Sequence, residues 1–92
     1  MSSACAELRI VGLVQGVGYR YYCFNKARNF GLTGWVKNNY DGSVSVLAEG
    51  DRSMIDSLIV ELKIGPSSAD VKDVIVKWQK FSGQYSDFNV TF

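Results

Sequence analysis

Residues 7–31 read ELRIVGLVQGVGYRYYCFNKARNFG, and this stretch decides the fold because its hydrophobic period changes halfway along. In ELRIVGLV, residues alternate between two faces and β-branched side chains fall on both, which predicts a largely buried strand. In the second half, Cys23, Ala27 and Phe30 recur at helical spacing and Gly31 provides a stop, which predicts a helix. A glycine-rich turn therefore joins a strand to the N-terminus of a helix.

The central part of the chain predicts an antiparallel hairpin. The runs TGWVKN and SVSVLAE are rich in residues that favour strands. The sequence NYDG between them contains the pair Asp41-Gly42, which is a strong local turn signal. We therefore expect residues 33–49 to form two paired strands.

The last part of the chain predicts a second helix followed by two strands. In SMIDSLIVELKIGP, apolar residues share one helical face, Ser53 and Asp56 stand at the spacing of a capping box, and Gly65-Pro66 ends the run. The sequence DVKDVIVKWQKF then alternates as a strand. After the turn SGQYS, residues 88–92 alternate in a short terminal strand.

The order of these elements is strand, helix, strand, strand, helix, strand and a short final strand. This order predicts an α+β protein with a ferredoxin-like split βαβ sandwich, in which two helices pack on one face of an antiparallel sheet. No repeat, linker or low-complexity segment interrupts the 92 residues. We therefore expect residues 1–92 to form a single domain.

The overall composition is typical of a small soluble protein. Hydrophobic residues make up 47% of the chain, charged residues make up 21%, and the formal net charge is +1. Because there is no basic stripe, this balance argues against a nucleic-acid partner. The apolar runs are far shorter than the roughly 20 residues of a membrane span, and the N-terminus lacks the pattern of a signal peptide. We expect a cytoplasmic monomer without a membrane partner.

The chain contains no histidine, and this excludes several catalytic classes. A Ser-His or Cys-His nucleophile pair, a histidine general base and the common mixed zinc site all need that side chain. We interpret Cys5 and Cys23 as free thiols, since too few other ligands accompany them to form a metal site. We therefore expect neither a metal ion nor a cofactor.

The glycine-rich turn, residues 12–20, suits an anion. The first amides of a helix are unpaired and the helix dipole is positive at that end. Glycines allow successive amides to point into one concavity, and Arg20 would close it with a guanidinium group. The alternative is a tight turn with Arg20 in solvent, although a basic residue opposes the dipole there. The residues alone leave both interpretations open.

Residues 12–20, GLVQGVGYR, and residues 34–50, GWVKNNYDGSVSVLAEG, together resemble the acylphosphatase family. The two signatures of that family are a G-x-V-Q-G-V-x-aromatic-R loop and a G-aromatic-x-x-N-x-x-x-G-x-V-x-x-x-x-x-G hairpin, and both match in order. The segment GPSSADVKDV is similar to the family's connection between the second helix and the fourth strand. The resemblance covers essentially the whole chain and implies the ferredoxin-like fold.

The resemblance also implies an activity, the metal-free hydrolysis of acyl phosphates to a carboxylate and inorganic phosphate. It places the catalytic arginine at Arg20 and the catalytic asparagine at Asn38. Asn39 competes for the second role, but the hairpin signature selects Asn38; the alternative for Asn38 is a residue that caps its own turn. The phosphate, or a sulfate in its place, would lie on the backbone amides of Gln15, Gly16, Val17, Gly18, Tyr19 and Arg20.

Three positions bear on how closely the chain follows the family. Leu13 stands where a basic residue is common, and this change would weaken the attraction for a dianion. Tyr19 replaces a common phenylalanine and adds a hydroxyl group. In the family the terminal carboxylate can orient the arginine, and here that group would belong to Phe92.

Two other functions stay open from the sequence. A ferredoxin-like sheet bearing Trp35, Tyr40 and Trp78 could stack on single-stranded RNA, although the neutral charge balance and the poor match of LTGWVKN to an RNA-binding signature oppose this. Alternatively, the turn could bind a carbamoyl or phosphate group on behalf of a partner, as acylphosphatase-like domains fused into larger proteins would do.

Overall fold

The computed structural model describes residues 2–91, so the expected strand residue Phe92 and its carboxylate lie outside the described residues. Every predicted element is present and in the predicted order. The elements are β1 (Ser3–Leu13), α1 (Tyr19–Asn29), β2 (Thr33–Asn38), β3 (Val44–Asp51), α2 (Arg52–Ile64), β4 (Asp70–Gln79) and β5 (Phe88–Val90).

The strands form one sheet in the order β4-β1-β3-β2-β5. The pairs β4-β1, β1-β3 and β3-β2 are antiparallel, as the sequence predicts. The departure is β5, which runs parallel to β2 and makes the sheet mixed. The reason is topological, because β4 ends beside the start of β1 at one edge and the chain must cross that end of the sheet to reach β2 at the other edge.

The crossing segment is held by a buried carboxylate. Glu49 on β3 is 1% exposed. It accepts hydrogen bonds from the amide and hydroxyl of Ser82, at 2.8 and 2.7 Å, and from the amide of Gly83 at 3.0 Å. Burial alone would raise the pKa of Glu49, but these donors hold it below its ordinary value. The ionised Glu49 therefore fixes the connection that leads into β5.

Both helices cover one face of the sheet and enclose the core. In β1 the side chains of Leu8 and Ile10 are buried under the helices while Arg9 is exposed. The expectation of a largely buried strand is therefore wrong for the outer face of β1, because the sheet is covered by helices on one side. From the helices, the fully buried contributors are Tyr19, Cys23 and Ala27 on α1 and Ile55, Leu58 and Leu62 on α2.

The start of α2 differs from the predicted capping box. The N-cap is Asp51, whose carboxylate accepts a hydrogen bond from the Ser53 amide at 2.9 Å. Because the helix begins at Arg52, Ser53 already lies inside its first turn. Asp56 lies 3.8 Å from the Arg52 guanidinium instead of capping the helix. At the other end, Gly65 terminates α2 with φ 68°, as predicted.

The two cysteines of the chain, Cys5 and Cys23, are both buried and free. Burial and the neighbouring Glu49 carboxylate raise the pKa of Cys5 to about 11, and burial raises that of Cys23 as well. Neither thiol is therefore an activated nucleophile.

Among residues 2–91, no helix has the length and apolar character needed to cross a membrane.

Candidate active site

The site begins where β1 leaves the sheet. The pairing of β1 with β4 shifts register between Val11 and Gly12, and Gly12 adopts φ 132°. A Cβ atom at this position would lie 2.1 Å from the carbonyl oxygen of Asp70. Only glycine permits this close approach, which turns the chain out of β1 and toward α1.

The turn between β1 and α1 exposes a series of backbone amides. Gly16 and Gly18 adopt φ 72° and 76°, and Gly18 is the N-cap of α1 without a side chain that could cap the helix. Among residues 2–91, no carbonyl or side chain accepts a hydrogen bond from the amides of residues 16–19. These amides, together with the positive end of the helix dipole, form a set of donors suited to an anion.

Arg20 and Asn38 line one cavity beside this turn. Both line a cavity of about 190 Å³ together with Val14, Gly16, Gly18, Tyr19 and Tyr21. Arg20 follows the turn in the first turn of α1, and Asn38 is the last residue of β2. Among the described residues that line the cavity, Arg20 alone carries a charge. The described lining therefore supplies a cationic group for an anion, and none of its described side chains is a carboxylate.

The guanidinium of Arg20 is oriented by the end of the chain. Its Nη1 donates to the carbonyl oxygen of Thr91 at 3.2 Å. The amide of Thr91 in turn donates to the carbonyl of Val36 on β2 at 2.8 Å. The parallel pairing of β5 with β2 thus places Thr91 beside Arg20. Sequence reasoning missed Thr91, since a backbone carbonyl leaves no side-chain signal.

Asn38 has a buried acceptor without a partner. Its side-chain oxygen Oδ1 is inaccessible to solvent and accepts no hydrogen bond from residues 2–91. Leaving a buried acceptor unsatisfied costs about 1–3 kcal/mol, which structures rarely retain without a reason. Asn39 differs, because its Nδ2 donates to the hydroxyls of Ser43 and Ser45 at 2.9 and 2.7 Å. Asn39 therefore holds the hairpin, whereas the oxygen of Asn38 has no partner among residues 2–91.

The side chain of Gln15 ties the turn to the hairpin. Its Nε2 donates to the carbonyls of Asn39 and Ser43, at 2.7 and 2.8 Å. Asp41 closes the same hairpin by accepting hydrogen bonds from the hydroxyl and amide of Ser43, and it pairs with Arg9. These contacts lower the pKa of Asp41 to about 2. The sequence assigned Gln15 a backbone role only, and its structural role in joining the two signatures was not foreseen.

Three further residues of the turn, Leu13, Gln15 and Val17, do not line the cavity around Arg20. Gln15 lines a wider neighbouring cavity of about 580 Å³, which is also lined by Lys37, Asn38, Asn39 and Tyr40. Val17 directs its side chain against the core. Leu13 is 60% exposed.

The hydroxyl group that Tyr19 adds, relative to the phenylalanine common at this position, has a hydrogen-bond partner inside the protein. Its ring is 1% exposed, and its hydroxyl donates to the carbonyl of Leu62 in the last turn of α2 at 2.6 Å. Burial raises the pKa of Tyr19 above its ordinary value, so the phenol stays protonated as a donor. The hydroxyl thus satisfies a helix-end carbonyl and takes no part in the cavity's polar lining.

The groups in the cavity define what chemistry is available. An arginine and several amides can hold a phosphoryl group, and a side-chain oxygen can accept a hydrogen bond from water. Within residues 2–91, no group of three or more histidine, cysteine, aspartate or glutamate side chains is placed to hold a metal ion.

The fold and this turn define a class of protein: a ferredoxin-like α+β sandwich whose glycine-rich strand-to-helix turn faces an arginine and an asparagine. A sequence model of the acylphosphatase family matches residues 6–90. The chain therefore belongs to the acylphosphatase family, whose members are hydrolases acting on acyl phosphates.

Individual relatives cover nearly the whole chain. An acylphosphatase from Caldanaerobacter subterraneus subsp. tengcongensis is 49% identical over 84 residues, which are 91% of this chain and 93% of the relative. The crystal structure of acylphosphatase from Bacillus subtilis matches with a TM-score of 0.94 and 32% identity, covering 97% of this chain and 99% of that chain. These matches confirm the family resemblance and the predicted fold.

A similar fold also occurs inside a larger protein. Full-length HypF in its phosphate- and nucleotide-bound form matches with a TM-score of 0.91 and 32% identity. The match covers 99% of this chain but 12% of that chain. The same fold is thus found as part of a much longer polypeptide.

Proposed function

We propose that this chain hydrolyses the carboxyl-phosphate bond of acyl phosphates by a metal-free mechanism. The amides of residues 15–20 and the Arg20 guanidinium bind the phosphoryl group, and Asn38 orients the attacking water. The observation that carries this proposal is that Asn38, which lines the same cavity as Arg20, has a buried Oδ1 with no partner among residues 2–91.

Binding depends on fixed charges and dipoles. The phosphoryl group of an acyl phosphate carries negative charge on its outer oxygens, and that charge is redistributed in a loose transition state. The amides of residues 16–19, which have no acceptor among residues 2–91, and the guanidinium held by Thr91 are in place before substrate arrives. Such preorganised donors stabilise the transition state without a cost of reorganisation.

Attack on phosphorus requires a water molecule in line with the bond that breaks. The Asn38 oxygen can accept one hydrogen bond from that water and hold it against the bound phosphoryl group. The water oxygen forms a bond to phosphorus as the bond from phosphorus to the carboxyl oxygen breaks, and the carboxylate leaves with the electron pair. The proton of the water passes to a phosphoryl oxygen, so the products are a carboxylate and inorganic phosphate.

The described residues that line the cavity include no carboxylic acid and no histidine, and this fits the reaction. The leaving carboxylate has a conjugate acid with a pKa of about 4, like that of a glutamate side chain, so it departs at neutral pH without receiving a proton. An alkoxide leaving group would need such a proton. The chemistry of the cavity therefore favours acyl phosphates over ordinary phosphate monoesters.

The experiment compares two substrates in the presence of a chelator. We expect rapid hydrolysis of benzoyl phosphate and negligible hydrolysis of p-nitrophenyl phosphate by the same preparation. Loss of benzoyl phosphate hydrolysis in chelator would disprove the metal-free mechanism. Comparable hydrolysis of both substrates would show that the leaving group does not decide the reaction.

The stacking of RNA on exposed aromatic rings is less well supported. The Arg52 guanidinium lies 3.6 Å from the centre of the Trp78 ring, and the Lys37 ammonium lies 5.3 Å from that of Trp35. Both rings are thus covered by cations of the chain itself. A salt-sensitive gel shift with single-stranded RNA would revive this alternative.

We also propose that residues 1–92 work as one domain, as a monomer in the cytoplasm, without a cofactor and without a nucleic-acid or membrane partner. Light scattering after size-exclusion chromatography tests the oligomeric state. A dimer that loses activity on dilution would contradict it.

A further inference from the structure

The backbone amides of residues 15–20, here called the phosphate cradle, lie on a turn that accepts a hydrogen bond from a residue far along the chain. The hydroxyl of Ser68 donates to the carbonyl oxygen of Val17 at 3.0 Å, across a separation of 51 residues. Ser68 lies in the connection between α2 and β4, where Gly65 ends the helix and the Ala69 amide donates to the Pro66 carbonyl at 3.0 Å. This connection therefore has a defined shape that presents Ser68 to the turn.

The bond from Ser68 fixes the orientation of a complete peptide group. In a trans peptide the carbonyl of one residue and the amide of the next point in opposite directions, and none of the described peptide bonds is cis. The carbonyl of Val17 points toward Ser68, so the amide of Gly18 points away from it. Gly18 lines the cavity with Arg20 and Asn38, and Ser68 is not among the residues that line it.

The same peptide would otherwise be free to turn over. A peptide flip changes ψ of the preceding residue and φ of the following one, and the following residue here is Gly18. Because glycine has no Cβ, no side chain opposes that change. After a flip, the Val17 carbonyl would point into the cavity and repel an anion where the Gly18 amide now attracts it.

We propose that Ser68 is a positioning residue for the phosphate cradle: its hydroxyl holds the Val17-Gly18 peptide so that the Gly18 amide faces the substrate. This inference rests on the proposed function. The inference assigns a role in the site to residues 65–74, the third stretch that resembles the family. No described residue of that stretch lines the cavity around Arg20.

Three variants test this role. Ser68→Ala removes the hydroxyl, Ser68→Thr retains it, and Ser67→Ala removes an equally exposed hydroxyl one residue away that makes no such contact among residues 2–91. We expect Ser68→Ala to lower kcat/KM for benzoyl phosphate by about 3- to 10-fold, the range that corresponds to one neutral hydrogen bond. Inhibition by inorganic phosphate should weaken by a similar factor.

The two control variants should keep both constants within about twofold, which is the effect typical of exposed sites. Ser67→Ala and Ser68→Thr should retain the melting temperature of the wild type in the same buffer, and Ser68→Ala should lose no more than the several degrees that correspond to one hydrogen bond. Equal kinetics for Ser68→Ala and Ser67→Ala would overturn the proposal. So would a loss in Ser68→Ala that Ser68→Thr does not restore.

A titration with inorganic phosphate, followed by amide NMR, separates this inference from the proposed function. In the wild type the Gly18 amide should shift saturably, and in Ser68→Ala that shift should be much reduced. If the wild type binds phosphate in this way but does not hydrolyse benzoyl phosphate, the proposed function fails and the role of Ser68 stands. If the Gly18 amide of the wild type does not respond, the positioning role is wrong.

Discussion

Replacing Asn38 with alanine should make the protein more stable and less active. The substitution removes a buried oxygen that accepts no hydrogen bond from residues 2–91. An unsatisfied acceptor of this kind costs about 1–3 kcal/mol, and little packing is lost because Asn38 is only half-buried. We expect a net gain of about 1 kcal/mol, which raises Tm by about 4–8 °C in a domain of this size.

The same substitution should lower kcat by about 100-fold, because a water that is no longer held in line attacks far less often. The inhibition constant of inorganic phosphate should stay unchanged, since Arg20 and the backbone amides are untouched. Kinetics are measured with benzoyl phosphate, and Tm is measured by calorimetry on the same preparations.

Asn39→Ala is the matched control on the neighbouring residue. It removes two hydrogen bonds to serine hydroxyls in the hairpin, so we expect lower stability by about 1–2 kcal/mol and a nearly normal kcat. A normal kcat for Asn38→Ala would refute the water-orienting role. Weaker phosphate binding with normal turnover would assign Asn38 to substrate binding instead.

Three further substitutions, together with the control Arg28→Ala, test the rest of the site and the fold. Arg20→Ala should lower kcat/KM by about 100- to 1000-fold in steady-state assays, whereas Arg28→Ala, on the exposed side of α1, should have little effect. Gln15→Ala removes two hydrogen bonds to the hairpin and should lower the free energy of unfolding by about 1–3 kcal/mol, measured in urea. Glu49→Gln should be less stable at neutral pH and should lose less stability on acidification. The pKa of Glu49 is lowered in the folded state, so its contribution is complete above its ordinary pKa of about 4.3 and is lost as the pH falls through the lower folded value.

Each of these predictions has a result that would contradict it. Near-normal turnover by a folded Arg20→Ala protein would remove the arginine from the mechanism. Unchanged urea denaturation of Gln15→Ala would show that the bridge to the hairpin is not energetically significant. Equal dependence of stability on pH in Glu49→Gln and the wild type would show that Glu49 does not anchor the crossing segment.

The fold could be predicted because local patterns and glycine positions agree along most of the chain. The change from strand to helix period around residues 12–18 coincides with glycines that the structure places at positive φ. The pair Asp41-Gly42 likewise marks the turn of the hairpin. The choice of Asn38 over Asn39 came from the family signature. The contacts of Asn39 with two hydroxyl groups of the hairpin give a physical reason to favour Asn38.

The supporting contacts could not be predicted because they depend on backbone groups that meet through the tertiary fold. The carbonyl of Thr91 reaches Arg20 across 71 residues, and the hydroxyl of Ser68 reaches Val17 across 51. No spacing in the sequence encodes such pairs. The parallel direction of β5 was missed for the same reason, since three residues of alternating pattern do not specify a partner strand.

A crystal structure grown with inorganic phosphate tests the central claim most directly. We expect one phosphate in the cavity lined by Arg20 and Asn38, with hydrogen bonds from the amides of residues 16–19 and from the guanidinium. A water molecule should lie between the Asn38 oxygen and phosphorus. A structure with phosphate bound elsewhere and this cavity filled only by solvent would contradict the account.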